Sequence, residues 1–153
     1  MDIKNERIEL DCQALDDMGR GVCRTPDCTY FIEGLLPGEK CLATITHRRQ
    51  RLGFGTVAKL LATSAGRVKP TCPGYPYCGC SLTHLAYDKR LKYKQETIRS
   101  LCLKFGGLDI PVLPTIPCPQ LTGYRNKVQK PIGGSRGHLV MGFYKPMSHT
   151  LVP

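Results

Sequence analysis

The chain has 153 residues, 41% hydrophobic and 22% charged, which suffices for one ordinary domain or two small ones with a packed core. Its N-terminus, MDIKNERIEL, is charged throughout and excludes a signal peptide. No apolar run approaches the ~18 residues of a membrane span, so the expected setting is cytoplasmic, without a membrane partner.

From the N-terminus the pattern is β. In ERIELDC (6–12), Ile8, Leu10 and Cys12 alternate with Glu9 and Asp11, the period of a half-buried strand. A turn is expected at DDMGRG (16–21), then a short strand around Val22 and Cys23. TYFI (29–32) is β-branched and aromatic, and EGLLPGE (33–39) stops it with turn residues. KCLATITH (40–47) alternates again, and GFGTVAKLLA (53–62) closes the series. Five short strands with Gly/Pro punctuation predict a small OB-like barrel over residues 1–66.

A polar connector, TSAGRVKPT (63–71), leads to a second region, 67–110, holding a cysteine-rich loop and one helix. In YDKRLKYKQETIRSLCLKFGG (87–107), Tyr87, Leu91, Ile98, Cys102 and Phe105 recur at helical spacing, and Gly106 and Gly107 offer a left-handed cap. The outer face carries Lys89, Arg90, Lys92, Lys94, Arg99 and Lys104. The third region, 111–153, opens with PVLPTIPCPQLTG (111–123), whose prolines forbid a regular helix and predict an extended linker. YRNKVQKPI, GGSRG and HLVMGFYKP then read as strand, turn and strand, the incomplete start of a further β domain. The expected class is mainly β with one helix.

The net charge of +10 is unevenly placed. Residues 1–66 hold nine Lys/Arg and nine Asp/Glu, whereas 67–153 hold thirteen against three. Such an imbalance points to a polyanion, and nucleic acid is the usual one. His47, His138 and His149 are lone histidines with no carboxylate partner at short range, and Arg48, Arg49 and Arg51 read as a solvated turn at a strand end.

Nine cysteines are an odd number, and a cytosolic setting disfavours disulfides. Cys12, Cys23, Cys28 and Cys41 read as apolar core filler. Cys72, Cys78 and Cys80 are different. They form C-x5-C-x-C among prolines and glycines, in a loop of the kind that wraps metals. Zinc, with His84 as a fourth ligand, and an iron–sulfur cluster, with a further cysteine, both suit the spacing.

CPGYPYCGCSLTHLAYDKRLKYKQ, followed by YRNKVQKP and MGFYKPMSH, resembles the S-adenosylmethionine-dependent RNA uracil-5-methyltransferases, particularly their 23S ribosomal RNA branch. DDMGRGVCR, YFIEGLLPGEKCLATI and GRVKPTCP resemble that family's TRAM domain. The resemblance runs over nearly the whole chain, in the family's order. It implies an RNA-gripping TRAM barrel at 1–66, a loop holding a 4Fe-4S cluster through Cys72, Cys78 and Cys80, and a central β domain along the RNA path. RNA, ribosomal by this resemblance, is the implied partner, and DNA is not expected. The residues expected to meet RNA are Arg67, Lys69, Lys92, Lys94, Tyr124, Arg125, Asn126 and Lys127.

Two departures from the family pattern stand out. The family has CGGC where this chain has CGC, and its fourth cluster cysteine falls beyond Pro153. Methylating carbon 5 of uracil needs a nucleophile, a methyl donor and a base. The family keeps these, with S-adenosylmethionine, in a Rossmann-like domain that has no counterpart in these residues. The chain alone is therefore expected to be inactive as an enzyme. The alternative is a stand-alone TRAM-type RNA-binding protein with a zinc or iron–sulfur site. A TRAM-bearing radical enzyme would need C-x3-C-x2-C, which does not occur.

Overall fold

The computed structural model describes residues 6–72, 74–77, 80–145 and 148–153. Ten strands and one helix follow one another in these residues. The first six, β1 (Glu6–Asp11), β2 (Ala14–Leu15), β3 (Gly21–Arg24), β4 (Thr29–Glu33), β5 (Lys40–Arg49) and β6 (Leu52–Ala62), form one mixed sheet in the order β1-β5-β6-β4-β3-β2. All neighbours are antiparallel except β4 and β6, which run parallel.

The expected barrel thus has six strands rather than five, and among the described residues no ladder closes it. Its two edges, β1 and β2, are instead consecutive in the chain, so the bend at Cys12 and Gln13 brings the edges together. Gly38 N–H donates to the Cys12 carbonyl, and Cys12 N–H donates to that of Glu39, each at 2.9 Å. Three register shifts in the β5–β6 pair add the curl.

Alternation sets which residues face inward. Leu10, Cys12, Cys23, Cys28, Tyr30, Ile32, Leu35, Cys41, Ala43 and Ile45 form one buried cluster. The four cysteines expected as core filler are all in it. Burial holds the Cys41 thiol up at about 11, and Cys23, hydrogen-bonded by Cys12, is raised as well. Each fully buried Leu or Ile contributes about 1.5–3 kcal/mol relative to exposure.

Helix α1 (Tyr87–Gly106) ends on Gly107, whose φ of 64° lets its N–H donate to the Leu103 carbonyl and the next amide, of Leu108, to that of Cys102, as its sequence predicts. The helix buries none of its residues. The stripe predicted to be apolar is only partly covered: Ile98 and Phe105 are exposed, while Tyr87 and Leu91 meet the proline tract. That tract is no free linker. Residues 109–118 run back along the helix, where Thr115 Oγ1 donates to the Leu91 carbonyl at 3.0 Å. Gln95 Nε2 donates to the Val112 carbonyl at 2.7 Å, and Cys118 N–H to Tyr87 Oη at 2.6 Å.

The C-terminal hairpin turns within the expected GGSRG and its second strand starts at His138 as expected, but its first strand comes later than the expected 124–132. Its strands are β7 (Ile132–Ser135) and β8 (His138–Met141), turning at Arg136 and Gly137, so Gly133 and Gly134 lie in a strand and 124–130 is irregular. The expected strand HLVMGFYKP breaks at Gly142, and its second part, β9 (Phe143–Tyr144), pairs with β10 (Leu151–Val152), a two-residue strand that carries no periodicity.

Candidate nucleic-acid interface and cysteine loop

The junction between barrel and cysteine loop is built around a buried carboxylate. Glu39 lies immediately before β5, just after the turn that Gly38 makes possible with φ 80°. Its side chain is fully buried. Arg67 Nε donates to Glu39 Oε1 at 2.6 Å, and Arg67 Nη2 to Oε2 at 2.7 Å and to the Gly34 carbonyl at 2.6 Å. The amides of Leu36 and Ser64 complete the shell at 2.8 and 3.2 Å. Burial by itself would raise the Glu39 carboxyl, but Arg67 and these amides outweigh it and hold it below 4.5.

Above this pair sits His84, completely buried. Its Nδ1 lies 3.0 Å from Tyr75 Oη, which comes from the cysteine loop, and their rings pack at 5.7 Å. Burial, with the Arg67 charge nearby, pushes the imidazole down to about 4, so it is neutral at pH 7. Among the described residues its Nε2 has no hydrogen-bond partner. Arg67 and Leu85 form a bridge, and Val68 N–H donates to the His84 carbonyl at 2.9 Å. The loop is therefore tied to the barrel through Glu39–Arg67, the backbone pairing of Arg67 and Val68 with Leu85 and His84, and His84–Tyr75.

Cys72 and Cys80 flank this loop as free, half-buried thiols, and Cys78 lies outside the described residues. Turn bonds fix the loop at both sides, Tyr75 N–H to the Cys72 carbonyl and Thr83 N–H to that of Cys80. Among the described residues, no three or more His, Cys, Asp or Glu side chains stand together as a metal-holding group. Cys118 stands apart on the proline tract, exposed, its thiol toward the Gln120 carbonyl.

The residues expected to meet RNA divide by environment. Arg67 is an internal clamp, its side chain 20% exposed. Lys69, Lys92 and Lys94 are exposed, as are Tyr124, Arg125, Asn126 and Lys127. Within the last group Arg125 lies over the Tyr124 ring at 5.8 Å. Lys92 lines an open cleft of about 920 Å³ between barrel and helix, together with Lys89, Lys104, Arg20 and Phe31. The floor is tied by Tyr93, whose hydroxyl donates to the Asp16 carbonyl at 2.6 Å.

Sequence reading missed one feature of the outer sheet face. Phe31, Phe54 and His47 stand in a row across β4, β6 and β5, their register positions directly opposed. Alternation turns Phe31 and Phe54 outward, but it would put His47 on the face of buried Cys41, Ala43 and Ile45; the register shift between Ile45 and His47 brings the imidazole out beside them.

No helix of the described residues is long and apolar enough to cross a membrane. No protein-family profile matches the chain. It is 37% identical over 150 residues to an uncharacterized RNA methyltransferase of Listeria monocytogenes, and 35% identical over 151 residues to one of Halalkalibacterium halodurans. An uncharacterized RNA methyltransferase of Oceanobacillus iheyensis is likewise 35% identical over 151 residues. Each match takes in 97% of this chain, and the chain spans about a third of the length of these relatives.

Proposed function

We propose that this chain, which belongs to the RNA methyltransferase family, holds the RNA on which a methyl transfer acts, while the transfer chemistry resides in residues beyond these 153. The observation that carries the reading is the separation of charge. The excess of ten positive charges lies entirely after residue 66, and Lys69, Lys92, Lys94, Arg125 and Lys127 place part of it on exposed side chains. Phosphate contacts from such groups supply affinity and register, and unstacked bases supply readout.

The finer reading follows the sequence motifs: a TRAM barrel, a uracil carbon-5 target in 23S ribosomal RNA, and S-adenosylmethionine as donor. The test is binding of a uridine-containing ribosomal RNA stem-loop at rising salt. Log affinity is expected to fall linearly with log salt, because each neutralised phosphate releases counterions. Lys92→Ala with Lys94→Ala, and Arg125→Ala with Lys127→Ala, should each make that slope shallower. Salt-independent binding, or none, would refute the reading.

For the cysteine loop we propose a 4Fe-4S cluster held by Cys72, Cys78 and Cys80, with a fourth thiolate from outside these residues. The donor chemistry fits: Cys72 and Cys80 are free thiols in a loop fixed at both sides, and thiolates are what such clusters require. When bound, the cluster would supply a cross-link that pins the loop. Anaerobic purification with iron and sulfide analysis decides it, and Cys72→Ser should lower the iron content. Zinc without sulfide would assign the site to zinc instead, with the buried Nε2 of His84, which has no partner among the described residues, as the nitrogen to test first.

A further inference from the structure

We propose that the outer face of the barrel carries a stacking platform for an unpaired RNA base, made by Phe31, Phe54 and His47 under a fixed Arg20. This deepens the RNA-holding reading and rests on it. Phe31 and Phe54 are paired register positions of the parallel β4–β6 ladder, and their rings stack with centroids 5.4 Å apart and planes 19° apart. Phe54 is in turn opposite His47 on β5, with ring centroids 6.3 Å apart and planes 30° apart. The neighbours Tyr30, Ile32, Gly53 and Gly55 are buried, so alternation sends both phenylalanines outward, and the register shift between Ile45 and His47 brings the imidazole to the same face. His47 is exposed at the open end, and both phenylalanines are half-buried.

Arg20 caps the row. Its guanidinium carbon lies 5.0 Å from the Phe31 ring centre and 5.5 Å from that of Phe54. Asp16 holds it there, with Arg20 Nε donating to Oδ2 at 2.7 Å and Nη2 to the same oxygen at 2.6 Å. Two ordered rings, a guanidinium plane and an open imidazole are the parts from which single-stranded nucleic-acid grooves are made, since every base has a π-face to stack.

Charge identifies the occupant. Two residues beyond His47 on the same face stands Arg49, opposite the exposed Leu52, and Arg51 follows in the turn. Both arginines are exposed, and among the described residues neither has an ion-pair partner. They suit the phosphates flanking a stacked base. At its other end the row meets the cleft that Phe31 and Arg20 share with Lys89, Lys92 and Lys104. Asp17 and Glu96 are acids of that cleft too, so the open His47 end is where a phosphate backbone meets the least repulsion.

The experiment uses the 153-residue chain and a single-stranded oligouridine carrying one 2-aminopurine, read by anisotropy and by quenching. Phe54→Leu keeps the bulk and removes the ring, and His47→Ala changes an exposed side chain. Each is expected to weaken binding about 5- to 100-fold and to relieve quenching, with the salt slope unchanged. Arg49→Ala with Arg51→Ala should instead reduce the slope by about 1.4. Wild-type affinity and quenching in both ring variants would overturn the platform while leaving RNA binding standing. No binding by the unaltered chain would overturn both. Should Phe54→Leu melt early, His47→Ala decides alone.

Discussion

Arg67 closes on Glu39 with two of its nitrogens on the two carboxylate oxygens, at 2.6 and 2.7 Å, across 28 residues of sequence. The pair joins the end of the turn before β5 to the first residues of the cysteine region, and the carboxylate is wholly out of water. Buried pairs of this kind add little over an apolar substitute, but removing one partner strands a charge. Arg67→Met is expected to cost about 3–5 kcal/mol by urea unfolding. The double variant Glu39→Leu, Arg67→Met should recover much of that loss. A single-variant cost below about 0.5 kcal/mol would show that the pair does not secure the junction.

Acid should weaken the same junction in two stages. His84 has a folded value of about 4 against an ordinary 6.5, because burial disfavours the charged ring. The unfolded chain therefore takes up this proton first as pH falls, and stability drops from pH 6.5 toward 4. By linkage the span amounts to about 3 kcal/mol. Glu39 is held below 4.5, so its contribution is complete above that value and is lost as pH falls through its lower folded one. Unfolding of the metal-free chain across pH 3–8 should show both stages, and His84→Asn should flatten the first. A flat profile between 6.5 and 4 in the unaltered chain would contradict the assignment.

Gly55 admits no side chain. A Cβ there would sit 2.5 Å from the Thr44 carbonyl oxygen and 3.2 Å from Ile45 Cδ1. The oxygen belongs to the neighbouring strand and cannot swing aside, so β5 and β6 would have to part. Gly55→Ala is expected to destabilise by about 1–3 kcal/mol or more, read as a lowered melting temperature. Gly107→Asn, which tolerates the left-handed conformation, should cost far less.

Tyr93 couples the helix to the barrel through its hydroxyl on the Asp16 carbonyl. Because α1 buries none of its residues, one such bond matters more here than in a packed helix. Tyr93→Phe is expected to cost about 1 kcal/mol and to raise hydrogen exchange across residues 87–106 selectively. Uniform change over the whole chain, or none, would mean that the helix is held by other contacts.

Much of the fold was legible because its determinants are local. Alternation in 6–12 and 40–47 marks half-buried strands whatever they pair with, and Gly107 caps the helix because only its own backbone has to turn. The cysteines at 12, 23, 28 and 41 read as core for the same reason. Where patterns run short, reading failed: β2 and β10 have two residues each, and the strand expected over residues 124–132 begins only at Ile132.

The sequence by itself determined the strand character and core positions of 6–12 and 40–45, the helix with its glycine cap, and that the positive charge gathers after residue 66. Tertiary structure decided who meets whom. Arg67 read as a surface cation until the Glu39 carboxylate, distant in sequence, enclosed it, and His47 read as a lone histidine until register set it beside Phe54 and Phe31. Periodicity is a property of one strand and can be seen in its residues. A register, or a buried ion pair, is a relation between segments, and only the closed sheet selects it.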